Sequence, residues 1–142
     1  MNDNLRNDDR LRALCLSGSI PITEYVKMLT DAGFGTIEIR ARKPYRILDP
    51  KHYDTDEIIY IESIEVAAIN DPMPSDGPCV FTGKAVIYFG EDDYLDDKAG
   101  HLMLKNQPLA ICDKTAAALA ALNREDVFIS KSTFHYDGGG CC

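Results

Sequence analysis

The chain has 142 residues, 45% hydrophobic and 27% charged, a length and balance that suit one ordinary globular domain. Its net charge of −8, from 23 acidic and 15 basic residues, repels phosphate backbones and argues against a nucleic-acid partner. No apolar run approaches the roughly 20 residues of a membrane span, and the charged start MNDNLRNDDRLRALC does not read as a signal peptide. A cytoplasmic protein without a membrane partner is expected.

In chain order, LRNDDRLRALCL predicts a first helix, with Leu11, Leu14 and Cys15 on one side at i, i+3, i+4 spacing. SGSIP breaks it. ITEYVKMLTDAGF predicts an amphipathic helix whose apolar stripe is Tyr25, Met28, Leu29 and Ala32, with Gly33 placed as the C′ glycine. TIEIRAR alternates Ile37, Ile39 and Ala41 with Thr36, Glu38 and Arg40, the pattern of a strand with one buried face. Helix, glycine and strand in succession resemble the last units of an α/β domain.

After Pro44 the chain turns β-rich. EIIYIESIEVAAI (57–69) predicts a long strand, NDPMPSDGP (70–78) an exposed turn segment, and CVFTGKAVIYFG (79–90) a second strong strand. EDDYLDDKAG predicts an acidic loop. It carries Asp92, Asp93, Asp96 and Asp97 but lacks the D-x-D-x-D-G order and closing Glu of an EF-hand. HLMLK predicts a short strand, Asp113 an N-cap for the helix KTAAALAAL, and DVFIS the end of the ordered part.

The cysteines are Cys15, Cys79, Cys112, Cys141 and Cys142. Their odd number argues against a disulfide framework, and the absence of C-x-x-C removes support for a closed zinc site. G-x-G-x-x-G, the P-loop, G-x-S-x-G and H-E-x-x-H are also absent. Cys79 opens a strand and Cys112 precedes a helix, so both are assigned to packing. Cys15 has two readings, a core residue beside Leu11 and Leu14 or a ligand thiol. The terminal GGGCC cannot enter a core. Its thiols suit a soft ion, disulfide exchange or a lipid, or they are an inert tail.

The series LRNDDRLRALCLSGSIPITEYVKMLTDAGFGTIEI, GPCVFTGKAVIYFG, GHLMLKNQPLAICDKTAAAL and GGGCC resembles, in colinear order, the carboxyl-terminal region of arsenite methyltransferases, which use S-adenosylmethionine. The resemblance implies an α+β fold. It places terminal helix and strand units of an α/β methyltransferase domain over 1–48, a small β-rich domain over 49–130 and a flexible Gly/Cys tail over 131–142. In that family the methyl donor sits in an N-terminal Rossmann-like half, so no S-adenosylmethionine site and no catalytic residue is expected here. The chain alone is not expected to be active.

The family binds arsenite through cysteine thiolates, and Cys15 matches one of those positions. A second family thiol lies before the long strand, where this chain reads DPKHYDTDEIIYIE without a cysteine, and a third belongs to the N-terminal half. Cys141 and Cys142 match the family's tail cysteines. The resemblance therefore implies Cys15, Cys141 and Cys142 as ligands of arsenite or another thiophilic ion, which suits soft thiolates. It also implies a separate methyl-donor-binding domain as partner. The rival readings are a stand-alone thiol-based module for a soft metal or metalloid, and a structural or interaction domain.

Overall fold

A computed structural model describes residues 3–132. The chain is a mixed α+β protein of small sheets and few helices. α1 (Asp3–Arg6), α2 (Asp9–Ala13) and α3 (Ile22–Asp31) precede β1 (Thr36–Leu48), β2 (Ile59–Ile69), β3 (Cys79–Phe81), β4 (Lys84–Tyr88), β5 (Tyr94–Asp96), β6 (Leu102–Leu104) and β7 (Pro108–Ile111). α4 (Asp113–Ala121) and β8 (Val127–Ile129) follow.

Where one N-terminal helix was predicted there are two short ones. Asp8 ends the first and caps the second, its Oδ1 accepting the Arg10 N–H at 2.8 Å. Leu11 is buried and Leu14 half-buried, but Cys15 lies past the helix end and is exposed, so the three do not share one apolar side. α3 forms where its periodicity places it and ends in a Schellman motif. The N–H of Gly33 (φ +95°) bonds Thr30 O at 2.9 Å, and that of Phe34 bonds Leu29 O at 3.3 Å. The predicted stripe is corrected: Tyr25 (36% exposed) and Met28 (56%) face solvent, as does Ala32. The inward face is Ile22, Val26, Leu29 and Thr30, all half-buried, so the helix rests on its neighbours along a narrower line.

β1 is longer than the predicted strand and pairs antiparallel with β2 from Thr36–Ile69 to Leu48–Ile59. Extra residues at Arg40 and Tyr45 bulge β1 twice and increase its twist. Pro44 costs no ladder bond on its second side, because β3 pairs with β1 only over 36–38. Residues 49–58 form the turn of this hairpin. Beyond it, 70–78 carries the chain around the start of β1 to add β3 as a parallel strand on the far side, giving the order β2-β1-β3. Gly35 permits that crossing. A Cβ there would lie 2.5 Å from Asp71 O and 2.6 Å from Pro72 O.

The predicted strand 79–90 breaks at Gly83 (φ +84°), and its second part becomes the centre of another sheet, β7-β4-β8, antiparallel throughout. The predicted acidic loop is corrected in part: Tyr94–Asp96 within it form β5, and the residues after Asp96 turn the β5–β6 hairpin. Asp96 and Asp97 are spent on it, accepting the N–H groups of Lys98, Ala99 and His101. Two apolar clusters hold the molecule. Val86, Tyr88, Met103, Ile111, Ala116 and Leu119 form one between the second sheet and α4. Leu5, Leu11, Leu16 and Leu48 form the other, fastening α1 and α2 to the far end of the β1–β2 hairpin. Of the paired strand residues predicted to be core, Ile37 and Ile39 are buried.

Candidate functional site

Cys15 is held by the chain reversal that ends α2. Its N–H bonds Arg12 O at 3.0 Å, the next N–H, of Leu16, bonds Leu11 O at 2.8 Å, and both leucines are buried. This is a second Schellman motif, with Cys15 at the C′ position where glycine is preferred; its φ is +59°. The backbone is fixed from below by Leu11 and Leu16, and the thiol points outward. Close by in the chain, Arg10 is paired with Asp8 and stacks 5.1 Å over the Tyr53 ring.

Cys141 and Cys142 fall outside the described residues. The structure therefore positions one of the three expected ligand thiols. Among the described residues no group of three or more His, Cys, Asp or Glu side chains could hold a metal ion.

Two open clefts flank the start of α3 and share Ile22, Thr23 and Arg42 as a wall. The first, about 520 Å³, lies between the segment 18–25 and the edge strand β2, where Tyr60, Glu62 and Ile64 line it. The second, about 600 Å³, runs under α3 between β1, β3 and the start of α4. Arg42 is ion-paired with Glu62 across the hairpin. The second cleft is apolar along Ile22, Val26, Ile39, Pro78 and Val80, and polar at one end, where Thr82, Asp113, Lys114 and Ser132 gather. There Asp113 Oδ1 accepts the Thr82 hydroxyl at 2.7 Å and pairs with Lys84 at 3.0 Å, while Thr82 and Ser132 hydroxyls meet at 2.9 Å. An apolar trough with charges of both signs at one end can seat a small amphiphile.

Lys114 reaches back from α4 to Asp76 Oδ1 at 2.6 Å and Gly77 O at 2.8 Å. The Asp76 carboxylate holds this ammonium above its ordinary range, and Lys114 in turn holds Asp76 below the usual carboxylate value. Beside this latch Cys79 and Cys112 come together. Cys112, not the predicted Asp113, is the N-cap of α4, and its Sγ lies 3.2 Å from Thr115 Oγ1. Burial pushes the Cys79 thiol up, its contact with Cys112 adds to that, and Lys114 works the other way.

Sequence reading took Cys79 and Cys112 as separate packing residues. Cys112 is a core residue, 3% exposed, but Cys79 is only half-buried. Nothing in their spacing signals the pairing, because it depends on β3 crossing to the far side of β1.

Among the described residues the chain passes from strand directly into helix once, at Ile111–Cys112–Asp113, and that turn contains no glycine. No helix there is long and apolar enough to cross a membrane.

No family model and no curated protein matches the chain. Among solved structures it is similar to the crystal structure of an arsenic(III) S-adenosylmethionine methyltransferase from Chlamydomonas reinhardtii, with 18% identity and a TM-score of 0.42. The match covers 95% of this chain and 47% of that one, so the chain spans about half the length of the enzyme.

Proposed function

We propose that this chain is the metalloid-binding, carboxyl-terminal side of an arsenite S-adenosylmethionine methyltransferase-like protein. The methyl donor is bound by a separate Rossmann-like half, and the chain alone does not turn over. The observation that carries this reading is the exposed thiol of Cys15, set outward at a fixed helix end at the position that resembles a family arsenite ligand. Thiolate sulfur is the donor suited to trivalent arsenic, and convergent sulfurs leave the arsenic lone pair free to attack a methyl sulfonium. Arsenite is here the acceptor substrate.

In this reading Cys141 and Cys142 supply two further sulfurs. Adjacent thiols bind the second bond at high effective concentration, so the tail pair holds the metalloid and Cys15 joins it. The rival, a stand-alone sensing module, uses the same thiols without a methyl donor.

The test is a titration with phenylarsine oxide, a dithiol-seeking arsenical. Truncation after Gly140 should abolish most binding, Cys15→Ser should weaken it modestly, and the double variant Cys79→Ser/Cys112→Ser should leave it unchanged. If the truncated chain binds as tightly as the full chain, the tail is not the site and the reading fails.

A further inference from the structure

Among the described residues the chain crosses from the first sheet to the second once, between Phe81 at the end of β3 and Lys84 at the start of β4. Gly83 stands in that joint with φ +84°. The two apolar clusters divide at the same point. Leu5, Leu11, Leu16 and Leu48 all precede it, and Val86, Tyr88, Met103, Ile111, Ala116 and Leu119 all follow it. Residues 3–81 and 84–132 are therefore two bodies, each with its own core.

Polar contacts cross between them. Lys114, in the first turn of α4, donates to Asp76 Oδ1 at 2.6 Å and Gly77 O at 2.8 Å, in the loop before β3. At the joint, Thr82 donates to Asp113 Oδ1 at 2.7 Å, and its hydroxyl meets that of Ser132 at 2.9 Å. The Asp76 side chain is 70% exposed, and an ion pair so close to water is weak and screened by salt. Two bodies joined by a short link and polar contacts move against each other unless something holds them.

We propose that Gly83 is a hinge and Lys114 its latch, and that release of Lys114 lets the two bodies swing and the cleft under α3 widen. The cleft spans the joint. Ile22, Val26, Ile39 and Val80 come from the first body, and Asp113 and Lys114 from the second. Without a Cβ, Gly83 can absorb the backbone rotation that a swing requires. The Thr82 bonds sit at the pivot, where movement is least, so they guide the swing without preventing it. Lys114 grips the opposite end of β3, about 10 Å of strand away at roughly 3.3 Å per residue, where leverage is greater. Salt, or any group that competes for the Lys114 ammonium, opens the cleft. None of this draws on the arsenic reading.

The experiment measures backbone N–H residual dipolar couplings of the full-length chain in an uncharged alignment medium. Couplings from β1 and β2 are fitted to one alignment tensor, and those from β4, β7 and α4 to another. For the wild type in about 0.01 M salt, where charges act over about 30 Å, the two tensors should coincide, as in one rigid body. Lys114→Met keeps the side-chain stem and removes the donor. It should make the tensors unequal in magnitude while each body still fits its own. About 1 M salt, which cuts the range of charges to about 3 Å, should shift the wild type the same way by a smaller amount. A single shared tensor in Lys114→Met would show that other contacts hold the bodies, and unequal tensors in the wild type at low salt would show that Lys114 does not; either overturns the proposal. Should Lys114→Met disturb the fit within either body, Asp76→Asn, a change at an exposed side chain, decides by the same comparison: its tensors must separate, and a shared tensor overturns the latch.

Discussion

Leu16 donates its backbone N–H to Leu11 O at 2.8 Å, and both side chains are buried in the cluster that holds the N-terminal helices to the β1–β2 hairpin. Cys15 stands at the reversal between them with φ +59°, a conformation that costs a residue with a Cβ about 1–2 kcal/mol. Cys15→Gly should therefore raise stability by about 0.5–1 kcal/mol, the relief of strain being offset in part by the freer unfolded chain. Cys15→Val, β-branched, should lower it by about 1 kcal/mol or more. Urea unfolding of both variants checks this; a glycine variant less stable than wild type would mean that the thiol contributes contacts of its own.

Gly35 is the point over which 70–78 crosses the start of β1. The atoms that a new Cβ would strike, Asp71 O and Pro72 O, are backbone and cannot rotate away. Gly35→Ala should cost about 1–3 kcal/mol, the usual range for overpacking. The damage should be local first. Because Gly35 O accepts the Cys79 N–H, amide exchange at Cys79 and along β3 should quicken more than exchange in β4. Equal acceleration in both sheets would show that the crossing is not what seats β3.

The strand and the helix before it are not equally committed to the core. Ile37 is fully buried and Leu29 only half. Ile37→Ala should cost about 2–5 kcal/mol, as a buried truncation that leaves a cavity. Leu29→Ala should cost less than half as much, since part of its surface is already wet and alanine favours the helix. Matching losses in chemical denaturation would place Leu29, and α3 with it, in the core.

The difference between those two residues marks how far the sequence could be read. Alternation at Ile37 and Ile39 defines a buried face by itself, because a strand's period of two leaves no freedom of phase. Tyr25, Met28 and Leu29 define a helix but not which of its neighbouring lines faces inward; that depends on partners contributed by distant parts of the chain. The same limit hid the thiol pair. Cys79 reaches Cys112 only after β3 has crossed to the far edge of β1, and no local pattern encodes that crossing beyond the turn formers of 70–78. The break at Gly83 was legible in principle, since glycine inside a strand pattern often marks a bend. Of the candidate ligands, Cys15 was legible as a chemical type but not as an exposed left-handed residue, and Cys141 and Cys142 lie outside the described residues.

Asp97 gives the β5–β6 hairpin a dependence on pH. Burial of its carboxyl opposes ionisation. The N–H groups of His101 and Ala99 and the imidazole 2.6 Å from Oδ2 outweigh that and hold the group below the usual carboxylate range. A depressed carboxylate contributes stability that is fully present above its unfolded value, about pH 4, and is lost as the pH falls through the lower folded value. Asp97→Asn keeps one acceptor oxygen but removes the charge, which strengthens such bonds, so it should cost about 1 kcal/mol at neutral pH. It should also flatten the fall in stability below about pH 4. Amide exchange at Ala99 and His101 reads the hairpin directly: in the wild type these amides, corrected for intrinsic rates, should lose protection on acidification, and in the variant they should be less protected at neutral pH and change little. Identical acid profiles for the two proteins would remove Asp97 as the group that anchors this turn.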